Sequence, residues 1–143
     1  MVGVHIAVGI ALIAANLVAG IWGGIAWLRD HPTVGFWYAL RVAQVSVFLQ
    51  ASLGLILVFL NHQADDLHYL YGALPLLISF LAELTRAGAA QQELGEKEFR
   101  ELPEDEQHSV ALAILRRETG IMAVACLVIV FLGLRAAGTT PLL

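Results

Sequence analysis

Residues 50–83 read QASLGLILVFLNHQADDLHYLYGALPLLISFLAE, from Gln50 to Glu83. Two apolar runs, each too long for a strand, meet at one short polar corner, Asn61-His62-Gln63-Ala64-Asp65-Asp66. The second run opens on His68, with Gly72 one helical turn further on. The first apolar run of the chain opens the same way, with His5 and then Gly9. The pattern predicts two membrane helices joined by a tight corner, with a histidine at the mouth of the second.

Composition carries the same reading to the whole chain. Of its 143 residues 59% are hydrophobic and 14% charged, and the mean hydropathy is +0.76. Soluble domains carry about a quarter charged residues, so an ordinary soluble fold is excluded. The expected fold is all-α, an integral membrane bundle of four helices running up-down-up-down in one transmembrane domain over residues 1–143. The lipid bilayer is its first partner. Eight Lys and Arg, with no basic patch beside an aromatic platform, speak against nucleic acid. The lone Cys126 lies in an apolar run, which predicts a buried, inert thiol. No basic n-region precedes the first apolar run, so that run reads as a span rather than a cleaved leader.

The expected spans are about 3–28, 36–60, 67–86 and 111–135. Met1 to Leu28 contains no charged residue and as a helix would be about 42 Å long, more than a bilayer core of about 30 Å requires. Gly3, Gly9, Gly20, Gly23 and Gly24 with Ala7, Ala11, Ala15 and Ala19 give it a small-residue face for close helix approach. Pro32 stops it, because proline lacks an N–H. Asn16 and Gln50 both count to mid-membrane, which makes a hydrogen bond between them an expectation. Arg41 and Glu83 count to one depth and form an expected ion pair. Residues 87–110 form the one sizeable charged segment, with a helix start at Pro103-Glu104-Asp105-Glu106.

Charge sets the expected orientation. Arg29, Arg41, Arg86, Lys97, Arg100, Arg116 and Arg117 fall on one side of a four-span chain and Arg135 alone on the other. By the positive-inside rule, residues 29–35 and 87–110 are cytoplasmic and both termini face outward, across the plasma (inner) membrane of a bacterial cell. His5, His62 and His68 then gather at the outer face.

The first and third spans run the same way, so His5 and His68 lie at similar depth, each with a glycine at i+4 on its own face. Neutral imidazole ligates iron, bundle interiors hold cofactors, and Gly9 and Gly72 would leave room for a flat macrocycle. The sharp expectation is bis-histidine haem b, with Arg135, His62 and Asn61 as candidate partners of its propionates. The bland one is a pair of interfacial histidines near their helix starts. A third is zinc held by His62, His68, Asp65 and Asp66. No nucleophile–base arrangement, phosphate-binding glycine loop or H-E-x-x-H occurs.

The run Gln50-Ala51-Ser52-Leu53-Gly54, followed across the corner by His68-Tyr69-Leu70-Tyr71-Gly72, resembles haem A synthase. That family has a Q-x-x-L-G helix, then a helix opening H-x-x-x-A/G, and an earlier helix that also opens on histidine. The likeness covers helices one to three, about half of an eight-span synthase. It implies that His68 matches the later haem ligand and His5 the earlier one. No counterpart of the family's catalytic acid stands beside His5, whose neighbours are Val4 and Ile6. The expectation is therefore a haem protein for electron transfer or haem handling rather than a synthase. The alternative is a non-catalytic accessory or assembly subunit, meeting a membrane protein partner or a second copy of itself. The chain also resembles small four-span membrane proteins of bacteria.

Overall fold

The computed structural model describes residues 1–95 and 98–139. Lys97, one of the cations counted above, and the last four residues of the tail lie outside that range. The described residues form α1 (Val2–Leu28), α2 (Val34–Phe59), α3 (Asp66–Ala87), the short α4 (Ala89–Leu94), a 3-10 turn (Phe99–Glu101) and α5 (Glu104–Ala137), with no strand. Four helical stretches, α1, α2, the one beginning with α3, and α5, are long and apolar enough to cross a membrane. The helices α1, α2 and α3 begin and end within two residues of the apolar runs read from the sequence.

Both tight corners are built by a polar residue in the left-handed region. Asp30 (φ 54°) follows the end of α1 and Asn61 (φ 60°) follows the end of α2. The next amide then turns back into the helix: His31 N–H donates to the Ala26 carbonyl and His62 N–H to that of Leu57, each at 3.0 Å. This six-to-one closure satisfies carbonyls that a helix end leaves bare. Pro32 therefore sits after the stop, and Asp30 makes it.

The helix α5 starts at Glu104 with Glu104, Asp105 and Glu106 in its first turn, where their charge favours the helix dipole. It continues unbroken into the fourth apolar run for 34 residues. This helix is the spine of the bundle: α1 and α3 pack chiefly on it, α2 packs on α1, and α2 meets α3 only lightly.

Small residues set these approaches. On α1, Ala19 is fully buried, Gly20 lies against Leu127 of α5, and Gly23 lies under the buried ring of Phe36 on α2. On α5, Gly120 seats the indole of Trp27 and Gly133 seats Ile13. Contacts between α1 and α5 therefore run in opposite chain directions, as do those between α1 and α2. The core is one layer of Ala19, Phe36, Leu40, Met122 and Cys126 and a second of Leu12, Val47 and Ile129. Outward lie large apolar side chains such as Phe48, Phe80 and Phe131, the last 72% exposed. In water so much bare apolar surface would drive aggregation; in lipid it faces its own kind.

Candidate functional site

His5 stands in the first turn of α1 and His68 in the first turn of α3. The packing of α1 and α3 on α5 brings the two imidazoles together, with ring centroids 6.1 Å apart and planes inclined by 60°. A metal ion bonded at about 2 Å to one nitrogen of each ring would hold the centroids about 5–6 Å apart, according to the angle between the two bonds.

His68 is oriented by the end of α5. Its Nδ1 lies 3.0 Å from the carbonyl of Ala136, in the last turn, where helix carbonyls have no intrahelical donor. A carbonyl only accepts, so Nδ1 carries the proton and Nε2 keeps its lone pair. The Thr139 hydroxyl donates to the same carbonyl at 2.7 Å. An Nδ1–H to backbone carbonyl bond is the support that fixes tautomer and ring angle in ligating histidines.

His5 has a different partner, Gln50. The amide Nε2 of Gln50 lies 3.2 Å from His5 Nε2; donating there, it leaves the imidazole proton on Nδ1. His5 Nδ1 and Gln50 Oε1 are then both buried without a hydrogen-bond partner. Turning the amide by half a turn lets Oε1 accept from Nε2–H but strands the amide nitrogen instead, so the deficit moves and does not close. Leaving such a group bare costs about 1–3 kcal/mol.

The two glycines differ. A Cβ on Gly9 would meet Gln50 Nε2 at 3.0 Å, so the room beside Gly9 holds that amide. Gly72 has nothing within 4 Å of that position and opens on free space. Gly54 lines the other side of His5, with its Cβ position 3.4 Å from Cε1. Arg135 stacks over the ring of Tyr71 at 5.7 Å, beside Gly72.

Two readings are corrected. Asn16 does not reach Gln50: its Nδ2 donates to Leu12 O at 2.9 Å within its own helix. The register sets His5 against Gly54, Gly9 against Gln50 and Gly23 against Phe36, which leaves Asn16 two turns from Gln50. The zinc arrangement of His62, His68, Asp65 and Asp66 does not assemble; among the described residues no group of three or more His, Cys, Asp or Glu could hold a metal ion. Cys126 is buried, as its apolar setting predicts.

A second polar cluster occupies the opposite end of the bundle. Arg41 Nη1 donates to Glu83 Oε1 at 2.7 Å, the pair expected from depth, and Gln44 Nε2 donates to the same oxygen at 2.7 Å. Arg86 Nε donates to Glu83 Oε2 at 2.8 Å, pairs with Glu118 at 3.6 Å and lies over the ring of Trp37. Arg116 pairs with Asp30, and Arg117 with Glu93 at 2.7 Å.

The role of Gln50 as the neighbour of His5 and of the α5 C-terminus as the support of His68 escaped the sequence reading. The i+4 glycine beside each histidine pointed to space but not to what fills it. No protein-family model, curated protein or solved structure matches the chain.

Proposed function

We propose that this chain binds haem b between His5 and His68 and serves electron transfer or haem handling at the outer face of the plasma membrane. The observation that carries the reading is the pair itself: two imidazoles from different helices 6.1 Å apart, one of them with Nδ1 committed to Ala136 and Nε2 free. The two stranded polar atoms beside them add to it, because they mark a site whose bonding is incomplete in the chain alone. The likeness to haem A synthase at Gln50–Gly54 and His68–Gly72 points the same way.

In this reading His5 and His68 would hold the iron, and the open side at Gly72 would admit the macrocycle. Gln50 has to release His5 Nε2, since its amide stands in the room beside Gly9. Arg135, over Tyr71, is the cation nearest the free side and would meet a propionate. The iron would supply one-electron chemistry; the protein supplies ligands, support and a water-poor setting. Orientation follows from the cation count, with both termini outside and residues 29–35 and 87–110 in the cytoplasm.

The deciding experiment is a visible spectrum of the detergent-purified protein, oxidised and then dithionite-reduced. A sharp Soret band with split α and β bands, lost in His5→Ala and in His68→Ala, is the expected result. A featureless spectrum from folded protein made with ample haem overturns it and leaves the accessory-subunit reading. The marker of that alternative, a bare small-residue face on α1, is present in part: Ala19, Gly20 and Gly23 are buried inside the chain, whereas Gly3, Ala7 and Ala11 are exposed.

A further inference from the structure

The light contact between α2 and α3 leaves an open cleft of about 210 Å³ on the side of the bundle, lined by Arg41, Gln44, Leu76, Ser79, Phe80 and Glu83. It lies at the end of the bundle where the charged residues gather, far from the histidines along both helices. Its floor is polar and its wall apolar. Arg41 sits on the floor with its side chain 54% exposed; among the described residues only its Nη1 is bonded, to Gln44 and Glu83. Phe80, 66% exposed, and Leu76, 42% exposed, stand one and two turns further into the span.

The geometry points to a binding site for one glycerophospholipid of the leaflet at this end, its phosphodiester on Arg41 and an acyl chain along Phe80 and Leu76. Three observations converge. The cleft opens sideways between two spans, so its neighbour is lipid rather than water. The carboxylate that would repel a phosphate is already engaged: Glu83 accepts from Arg41, Gln44 and Arg86. The remaining N–H groups of the Arg41 guanidinium form a planar fork suited to phosphate oxygens, which the stem can carry toward the headgroup layer. Ser79, which also lines the cleft, would add a donor for an ester or headgroup oxygen.

The test is native mass spectrometry of the detergent-solubilised full chain titrated with palmitoyl-oleoyl phosphatidylglycerol. One lipid per chain should be retained, and diacylglycerol with the same chains, which lacks the phosphodiester, should not bind. Arg41→Lys keeps the charge facing Glu83 but loses the fork and should lower the bound fraction at least about fivefold. Phe80→Ala should lower it too, because the acyl contact is removed. Inorganic phosphate alone should not displace the lipid. Equal retention by wild type and Arg41→Lys, equal binding of diacylglycerol, or displacement by phosphate would each overturn the assignment. The histidine site plays no part in this readout, so it stands or falls apart from the haem reading.

Discussion

The imidazole of His68 joins two helices, since the bond that would orient it as a ligand also ties α3 to the Ala136 carbonyl in the last turn of α5, which accepts from Thr139 as well. His5 has no such support; Gln50 holds it through Nε2, the nitrogen a metal would need. A neutral hydrogen bond of this kind contributes about 0.5–1.5 kcal/mol, and 1.4 kcal/mol is tenfold in affinity. Gln50→Leu should therefore bind haem between about twofold and tenfold more tightly in a Soret titration; weaker binding would mean that Gln50 helps the ligand rather than competing with it. Asn61 tests backbone chemistry alone. At φ 60° a β-branched residue is strained, so Asn61→Val should destabilise the protein by about 1–3 kcal/mol. Asn61→Gly should not, because glycine enters that region freely. Thermal unfolding in detergent distinguishes the two.

Among the helices, α1 shows how little side chain a membrane contact needs. Gly23 lies under Phe36, which is fully buried and has nowhere to move. Gly23→Ala should cost about 1–3 kcal/mol by overpacking, whereas Gly24→Ala, with nothing within 4 Å, should be near neutral; a denaturation series on both reads the difference. The first two helices were legible because uncharged runs of more than 20 residues have one physical reading; the third and fourth have 16 uncharged residues each and are extended by flanking Arg and Glu. Pairing was legible where two residues shared a boundary, as Arg41 and Glu83 do. It was not legible at Asn16 and Gln50, because counting from opposite ends of two helices carries the length of each overhang into the register. Two turns of error were enough to give Gln50 the wrong partner. The Gly9 niche escaped for the same reason, since which side chain fills it depends on register and not on the i+4 spacing.

Over the whole molecule, charged side chains are sorted to the two ends, and the polar groups of the waist are neutral and buried, as Asn16 and Ser46 are. The end holding Arg41, Glu83, Arg86 and Glu118 is a connected ion network, while the histidine end has Arg135 as its one basic residue besides histidine. Orientation by cation count makes a direct prediction. Cys126 is 2% exposed and should stay unlabelled by maleimide in the folded protein. On intact cells an impermeant maleimide should then label His62→Cys and leave His108→Cys untouched until the membrane is opened. The reverse pattern would invert the topology and put the histidine pair in the cytoplasm. The place of α5 as the spine also fixes a sequence in time. During synthesis α1 and α2 can pair as soon as both are inserted, but α3 waits beside them with little to hold it, because its main partner has yet to be made. His68 acquires its setting only when Ala136 arrives. On the haem reading, a newborn chain would thus lack the finished histidine site until its fourth helix is in place.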